Sequence, residues 1–371
     1  MSSLVLAKPN VHIKRAGPYL LGMPLGNSPV QSITNCLARE DDSDDFRVIK
    51  ILKLQDKTVD DQQGKVLLHT EYTLLKFLEG LPGIVQQHGL FKDSAEGENG
   101  EIVTRLCLVL DCYVPHDFSP KYGHITNLQY YVVEVKRLNE TEAIKLFVEV
   151  LKIVQQIHDL NIVHRDLKLG NIILNKLTGE IKLANFCLGK QLSHENELLK
   201  DQRGSPAYIS PDVIKGEPYL GKPSDMWAMG VIFYTLLFGQ FPFYDPSPSE
   251  LFRKIKACEY TFPDMINVSP KSIQIIQGLL ILDPKKRLTC HQVLEELSGF
   301  PSPKDNSQIV PNPDEDPASS SVAPVEPKNV RLVISRVKDE AKVLTLRELK
   351  KLHAIFQSKD GHNLSKALKR L

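Results

Sequence analysis

Two short stretches near the middle of the chain contain the side chains best suited to chemistry. The stretch "VHRDLKLGN" (163–171) places a carboxylate, an ammonium group and an amide close together, at Asp166, Lys168 and Asn171. Such groups accept protons, neutralise anions and bind hard cations, respectively. The stretch "KLANFCLGK" (182–190) follows, and it contains an amide rather than a carboxylate. The two stretches therefore raise the question of whether this site holds a metal ion.

The first stretch resembles the catalytic loop of protein kinases at every defining position. This resemblance implies that Asp166 accepts the proton of a substrate hydroxyl, that Lys168 neutralises the transferred phosphoryl group and that Asn171 binds magnesium. A lysine two positions after the aspartate is typical of kinases that act on serine and threonine. Because phosphoryl transfer depends on positioning and charge neutralisation, each residue acts through what it holds in place.

Further kinase motifs follow in the expected order, which makes a chance match a poor explanation. Lys50, in "RVIKIL", resembles the lysine that binds the ATP phosphates, and Glu71 resembles its ion-pair partner. Residues 108–111 resemble the hinge strand that binds adenine. The stretch "GSPAYISPD" (204–212) corresponds to the end of the activation segment. The resemblance covers roughly residues 16–298.

Residues in the second half of the chain are expected to support this loop and segment. The resemblance implies that Asp225 braces the catalytic loop from behind and that Arg287 pairs with Asp212.

The catalytic loop and the activation segment also contain residues whose role the sequence leaves open. Ser193 and Ser205 are candidate modification sites by location alone. Arg165 either grips a modified activation segment or pairs with a backbone group or an acidic neighbour.

Departures from the kinase pattern weaken the expected cofactor site. Asn185, Phe186 and Cys187 stand where kinases have Asp-Phe-Gly, so magnesium loses a charged ligand and keeps at best an amide oxygen. Cys187 also replaces the glycine that makes this hinge permissive. The glycine-rich loop (26–33) retains only its first glycine, and Pro29 has no amide hydrogen to offer a phosphate.

The sequence therefore predicts a degraded nucleotide site. Its cofactor-binding residues are Gly26, Ile33, Lys50, Glu71 and Asn185, and its remaining magnesium ligands are Asn171 and Asn185. We expect ATP to bind weakly and magnesium to bind poorly.

The pattern as a whole resembles the Tribbles-related pseudokinases. The stretch "SQIVPNPDED" (307–316) resembles the short peptide by which Tribbles-type tails dock on the propeller domain of the constitutive-photomorphogenesis ubiquitin ligase. The resemblance implies that Gln308, Ile309, Val310 and Pro311 bind this partner, the last two in an apolar pocket. An asparagine follows where an acid is usual, and a plain spacer is the alternative interpretation.

The elements expected to position these residues change in type along the chain. Residues 19–54 and 105–112 predict strands, whereas residues 67–81 have helical spacing. Thr141 is expected to cap a long amphipathic helix. Helices are predicted at 141–158, 224–238, 249–257, 269–282 and 290–298. Together with the motifs, this order predicts an α+β, bilobal protein-kinase fold with a small β-rich N-lobe and a large helical C-lobe.

Composition divides the chain into four regions. A flexible lead (1–15) precedes the kinase-like domain (16–298). The segment 299–329 is dense in Pro, Ser and Asp and too poor in apolar residues to fold, so we predict a disordered linker. The tail (330–371) returns to helical spacing with a basic bias at 340–357, which predicts a C-terminal helix.

Charge and cysteine content bear on partners and compartment. The 46 Lys and Arg residues nearly balance the 45 Asp and Glu residues, so we expect neither nucleic acid nor membrane as a partner. The six cysteines lack the spacing of a zinc site or a disulfide framework, which favours reduced thiols. The sequence shows neither a signal-peptide core nor a membrane span. We expect a protein of the nucleus and cytoplasm.

The resemblance predicts a pseudokinase scaffold that recruits a client protein, which the sequence does not identify, to a ubiquitin ligase. Such a scaffold would negatively regulate signalling and transcription. The alternative is a weakly active serine/threonine kinase that uses Asp166 as its base. A nucleotide-gated switch without catalysis is a third interpretation.

Overall fold

The computed structural model of this chain describes residues 14–25, 30, 32–54, 59–96 and 100–298. Its first part is an antiparallel sheet of six strands: β1 (Arg15–Ala16), β2 (Tyr19–Pro24), β3 (Ile33–Glu40), β4 (Phe46–Lys53), β5 (Gln87–Glu96) and β6 (Ile102–Asp111). The strands lie side by side in the order β1-β2-β3-β4-β6-β5. Strand β1 begins at the last residue of the predicted lead.

Strand β4 is apolar on both faces, which explains its run of branched residues. Val48 and Leu52 belong to the main core, while Ile49 and Ile51 belong to a second cluster on the opposite face of the sheet. Because side chains alternate along a strand, Lys50 lies on the same face as Val48 and Leu52. With only 6% of its surface exposed, this lysine is held inside the cleft.

Helix α1 (Val59–Phe77) packs against the sheet and carries the buried Glu71. It begins earlier than the predicted helix at 67–81, because its first turns are too polar to show an apolar period. The carboxylate of Asp60 in the first turn suits the positive end of the helix dipole. The helix ends before Gly80, whose φ of 78° requires a left-handed conformation.

The second part of the chain is mainly helical. Its helices are α2 (Leu128–Val135), α3 (Glu140–Asp159), α4 (Pro211–Lys215), α5 (Gly221–Phe238), α6 (Pro248–Ala257), α7 (Pro270–Leu279) and α8 (Cys290–Leu297). Its short strands are β7 (Ile125–Asn127), β8 (Ile162–Val163), β9 (Ile172–Asn175), β10 (Ile181–Leu183), β11 (Lys190–Gln191), β12 (Leu198–Leu199) and β13 (Tyr219–Leu220). The short helices α2 and α4 were not predicted from the sequence.

Helices α3 and α5 form the centre of the helical part. Phe147 and Phe233 stack with their ring centroids 4.2 Å apart, and α5 is buried along most of its length. A helix buried on all sides is apolar all round, as the sequence of α5 is. The N-cap of α3 is Asn139, whose side chain accepts a hydrogen bond from the backbone of Glu142. The prediction of Thr141 as the cap is therefore wrong, because the helix begins before it.

Arg287 connects the end of the helical part to its middle. Its Nη1 donates to Asp212 Oδ2 at 2.8 Å and to the Pro223 carbonyl at 2.7 Å. The guanidinium group also lies 5.2 Å from the centre of the Trp227 ring. Both charged partners are buried, so their charges satisfy each other away from water.

Aromatic contacts join the strand-rich part to the segment that enters the helical part. The Phe46 ring lies 4.3 Å from the His116 ring and 5.8 Å from the Tyr122 ring, and the Phe46 amide donates to the Tyr122 hydroxyl at 3.2 Å. Asp45 and Lys121 add an exposed ion pair at 2.7 Å. We call these five residues the lobe clasp.

The α+β architecture with a strand-rich lobe and a helical lobe confirms the predicted fold class. No helix in the described ranges is long and apolar enough to cross a membrane. The predicted linker at 299–329 and the C-terminal helix within 330–371 lie outside the described residues.

Candidate active site

The catalytic loop connects β8 to β9, and Asp225 of α5 holds its backbone. The two carboxylate oxygens of Asp225 accept hydrogen bonds from the amides of His164 and Arg165, both at 2.8 Å. Arg165 has a φ of 67°, which is strained for a residue with a side chain, so these bonds maintain an unfavourable conformation. His164 Nε2 donates to the Ala184 carbonyl at 3.1 Å. Asp225 thus occupies the bracing position that the sequence predicted.

Asp166 lies at the centre of a network that includes the other predicted catalytic residues. Its Oδ1 accepts a hydrogen bond from Ser205 Oγ at 2.7 Å, and its Oδ2 pairs with Lys168 Nζ at 2.8 Å. Asn171 Nδ2 donates to the Asp166 carbonyl at 2.7 Å. Burial alone would raise the pKa of Asp166, but Lys168 and Ser205 lower it below its ordinary value. The carboxylate is therefore ionised at neutral pH.

Lys50 uses all three of its N–H donors inside the protein. Its Nζ donates to Glu71 Oε1 at 2.9 Å, to Glu71 Oε2 at 2.7 Å and to Asn185 Oδ1 at 3.0 Å. Burial alone would lower the pKa of Lys50, but Glu71 raises it above its ordinary value, so the ammonium group stays charged. A phosphate group must therefore displace Asn185 or loosen Glu71 to receive a hydrogen bond from Lys50.

The Asn185 amide bridges Lys50 to the catalytic loop. Because an ammonium group only donates, the amide oxygen faces Lys50 and the amide nitrogen faces the opposite side. Asn185 Nδ2 lies 3.4 Å from Asn171 Oδ1 and 3.5 Å from Asp166 Oδ2. Asn185 has a φ of 71°, a left-handed conformation that asparagine tolerates better than most residues. The side chain thus directs a donor toward the oxygens of the loop.

This arrangement does not fit a magnesium ion. Magnesium prefers hard oxygen ligands in octahedral geometry, usually with a carboxylate among them. The two amide oxygens predicted as ligands, those of Asn171 and Asn185, each face an N–H donor instead. No group of three or more His, Cys, Asp and Glu side chains suited to a metal occurs in the part of the chain that the structure describes.

Cys187 and Phe186 complete the site behind Asn185. Burial raises the pKa of the Cys187 thiol to about 12, so it stays protonated, and its Sγ donates to Asn185 Oδ1 at 3.4 Å. Phe186 is fully buried and packs edge to face against His164, with ring centroids 4.8 Å apart. These contacts hold the Asn185 amide from one side and pack the neighbouring Phe186 against the catalytic loop.

Tyr113 is a residue of the cleft that the sequence analysis missed. It follows the hinge strand β6 and packs against the main core. Burial raises the pKa of its hydroxyl, which lies within electrostatic range of Lys50, Glu71 and Cys187. Tyr113 thus shares a buried environment with Lys50 and Glu71, close to the hinge. A large aromatic residue directly after a hinge strand is the signal that could have found it.

The described end of the glycine-rich loop is fastened to α1. The Ser32 amide donates to Asp60 Oδ2 at 2.8 Å, and Ser32 Oγ donates to the Asp60 carbonyl at 3.2 Å. Val30 and the predicted cofactor residue Ile33 are only 3% and 5% exposed and belong to the main core. This end of the loop is packed inward rather than open to a ligand.

Gly26 and the predicted partner-binding residues Gln308, Ile309, Val310 and Pro311 lie outside the described residues.

Comparison with known protein families agrees with this geometry. The protein kinase domain family matches residues 25–297. The chain belongs to the protein kinase family. Serine/threonine-protein kinase 40 of Rattus norvegicus is 52% identical to it over 329 residues, which cover 83% of this chain and 76% of the rat protein. The kinases of the same name from Gallus gallus and Homo sapiens are 55% and 54% identical over 302 residues, covering 77% of this chain and 69% of each relative.

Membership of the protein kinase family has a direct consequence for the cofactor. Domains of this family bind ATP between their lobes, so the cleft that contains Lys50 and Asp166 is the expected nucleotide site. The predicted relation to serine/threonine kinases is confirmed at the level of the family.

Proposed function

We propose that this protein is a kinase-fold scaffold that recruits a client protein to a ubiquitin ligase and does not depend on phosphoryl transfer. The Asn185 bridge is the observation that carries this proposal. It uses the third N–H of Lys50 and directs an amide nitrogen at Asn171, where a kinase has a magnesium ion. The polar groups of the cleft therefore satisfy one another without a ligand.

The loss of a charged metal ligand has a large effect on rate. A hydrogen bond or contact to a charged group contributes about 1.5–3 kcal/mol, which corresponds to roughly a tenfold to hundredfold change in rate if it acts in the transition state. Asn185 and Cys187 replace two residues of the metal-binding motif, and Pro29 removes an amide from the phosphate loop. Together these losses would bring an ordinary kinase close to background.

The ligase partner follows from the Tribbles-like peptide at 307–316. In this proposal Gln308 and Ile309 align the peptide, while Val310 and Pro311 fill an apolar pocket on the propeller domain of a constitutive-photomorphogenesis-type ligase. The protein would act in the nucleus and cytoplasm as a negative regulator of signalling and transcription, with no nucleic-acid or membrane partner.

The alternative function is weak serine/threonine kinase activity. The intact Lys50–Glu71 pair and the ionised Asp166 favour it, because both are required for phosphoryl transfer in active kinases. In that case ATP would bind after displacing the Asn185 amide from Lys50.

Two variants of the full chain separate these functions. The first is Asp166→Ala, and the second combines Val310→Ala with Pro311→Ala. Each is expressed in cells that lack the endogenous protein, and copurification of the ligase and the half-lives of associated proteins are measured. A matched control combines Val322→Ala with Pro324→Ala, in the same Pro-rich segment.

The scaffold function predicts that Asp166→Ala and the control behave like the wild type, whereas the Val310 and Pro311 variant loses the ligase and stabilises the client. The opposite pattern, with loss of function only in Asp166→Ala, would favour the kinase.

A further inference from the structure

The buried guanidinium group of Arg165 requires an anion. Its side chain is only 7% exposed, and it lies in the catalytic loop next to Asp166. Removing a charged group from water is costly unless a counter-ion and hydrogen bonds replace the water. In kinases that are switched by phosphorylation, a phosphate on the activation segment supplies this anion.

In this protein the anion is the carboxylate of Asp201. Its Oδ1 lies 2.5 Å from Arg165 Nη2, and its Oδ2 lies 2.9 Å from Arg203 Nε. The Tyr219 hydroxyl donates to the Asp201 carbonyl at 3.1 Å. Both carboxylate oxygens of Asp201 therefore face arginine, as the oxygens of a phosphate would.

Asp201 lies at a junction of three parts of the helical lobe. Strand β12, two residues before it, pairs with β13, which contains Tyr219. The next residue, Gln202, donates from Nε2 to the Val213 carbonyl at 2.9 Å, which ties the segment to α4. Through Arg165 the carboxylate of Asp201 reaches the catalytic loop. Asp201 thus connects the activation segment to the loop through its side chain and to the strand that precedes α5 through its backbone carbonyl.

We propose that Asp201 is a permanent counter-ion for Arg165 and that it keeps residues 198–212 ordered without phosphorylation of the chain. Under this proposal the surface formed by these residues is always available to a client or substrate. The proposal applies equally to a scaffold and to a weak kinase, so its failure would leave the proposed function unaffected.

The two candidate modification sites support this inference. Ser193 Oγ donates to Glu197 Oε2 at 2.8 Å, and Ser205 Oγ donates to Asp166 Oδ1 at 2.7 Å. A phosphate on either serine would place its negative charge against a carboxylate, and at Ser205 it would also face Lys168, whose Nζ donates to Ser205 Oγ at 2.8 Å. Arg165 already has its anion in Asp201, so neither serine has to supply one.

The charge state of Asp201 is consistent with this role. Burial alone would raise the pKa of Asp201, but the Arg165 guanidinium lowers it below its ordinary value. The carboxylate is charged at neutral pH in the same way as the phosphate it replaces.

Hydrogen exchange of the full-length protein, followed by mass spectrometry, tests the proposal. The samples are the wild type before and after treatment with a protein phosphatase, and the variants Asp201→Asn, Asp201→Glu and Arg203→Gln. Asp264→Asn, at an exposed position, is the control for loss of a carboxylate. Peptides from α5 and α7 report whether a variant keeps the fold of the helical lobe.

The proposal predicts that phosphatase leaves exchange of 198–212 unchanged and that Asp201→Asn accelerates it about tenfold or more, as expected for loss of a charged hydrogen bond. Asp201→Glu should restore most of the protection, and Arg203→Gln should lie between Asp201→Asn and the wild type. Faster exchange after phosphatase treatment, or wild-type protection in Asp201→Asn, would overturn the proposal. If Asp201→Asn also accelerates exchange in α5, the variant has lost the fold of the helical lobe. The phosphatase-treated wild type and Arg203→Gln then decide whether the proposal holds.

Discussion

At the scale of single residues, one amide changes what the cleft can bind. Asn185 has nearly the shape of an aspartate, but it offers a donor on one side, and that donor faces Asn171 and Asp166. An aspartate at this position would pair with Lys50 on one side and face Asp166 with a second negative charge on the other, and that second side favours a cation between the two carboxylates. The amide makes the cation unnecessary, so the site is electrostatically complete as it stands.

Asn185→Asp should make the stability of the protein depend on magnesium. In EDTA the two carboxylates repel each other, and we expect Tm to fall by about 2–4 °C, as for a loss of about 1 kcal/mol in a domain of this size. Magnesium should restore Tm in the variant and leave the wild type unchanged. Differential scanning fluorimetry of both proteins in each buffer measures this. Asn175→Asp is the control, and equal magnesium responses in wild type and variant would contradict the prediction.

His116 should make stability depend on pH. Neither of its ring nitrogens has a hydrogen-bond partner among the described residues, and burial lowers the pKa of His116 below its ordinary value, against the smaller opposing effect of Asp117. The unfolded chain therefore binds a proton more readily as pH falls below about 6.5. The contribution of His116 to stability is full above that pH and is lost as pH falls toward the folded-state pKa.

The variant His116→Phe keeps a ring in the clasp and removes the titration. Urea unfolding at pH 7.5, 6.5 and 5.5 should show a smaller loss of stability with acid than the wild type shows. His194→Gln, at an exposed histidine, should keep the wild-type slope. An unchanged slope in His116→Phe would show that this ring does not titrate between the folded and unfolded states.

At the scale of elements, helix α1 is held to the sheet by a buried ion pair. Glu71 is a fully buried charged residue of α1, and Lys50 on β4 is its partner. A buried pair of this kind strongly penalises removal of one partner, because the other charge is left without compensation. The position of α1 therefore depends on both charges together.

A double-mutant cycle on this pair should reveal strong coupling. Lys50→Met and Glu71→Gln are each expected to lower the free energy of unfolding by about 3–5 kcal/mol, and the double variant by clearly less than their sum. The exposed pair of Lys152 and Glu149 gives the control cycle, with an expected coupling of about 0–1 kcal/mol. Urea unfolding measures both. Equal coupling in the two cycles would mean that the buried pair does not hold α1.

Sequence patterns captured some of these elements and missed others for physical reasons. The catalytic loop could be predicted because its chemistry requires fixed residue types at fixed spacing. The start of α1 could not be predicted, because its first turns are polar and show no apolar period. Its first turn is instead held by the contact of Asp60 with Ser32, which is distant in sequence. Tyr113 escaped prediction because periodicity does not encode the direction of a side chain after a strand.

At the scale of the whole molecule, the lobe clasp couples the two halves. Phe46 belongs to the strand-rich lobe, whereas His116 and Tyr122 belong to the segment that leads into the helical lobe. Phe46 precedes the hinge strand β6 in the chain, and its two ring partners follow it. The contact therefore joins segments on either side of the hinge, which limits rotation of one lobe about the other. The lobes are connected in two places. The Lys50–Glu71–Asn185 contacts form one connection, and the lobe clasp forms the other.

Phe46→Ala should separate the unfolding of the two lobes. Loss of a buried phenylalanine costs about 3–5 kcal/mol, and here the lost contacts include the ring contacts with His116 and Tyr122 that join the lobes. Differential scanning calorimetry should resolve two transitions in place of one, with the strand-rich lobe unfolding first. The control Phe77→Ala removes a half-exposed ring from α1 and should leave a single transition. A single transition in Phe46→Ala would show that the clasp does not couple the lobes.

The ion pair between Arg287 and Asp212 also has a consequence for synthesis of the protein. A growing chain emerges from the ribosome in sequence order, so Asp212 is made 75 residues before its partner. During that interval the Asp212 carboxylate lacks the Arg287 guanidinium that compensates its charge in the interior. The helical lobe therefore cannot close around this carboxylate. The strand-rich lobe, whose six strands end at Asp111, can form while the later helices are still being translated. Slow translation between these positions would therefore prolong a half-built state, and chaperones that bind nascent chains would find their substrate there.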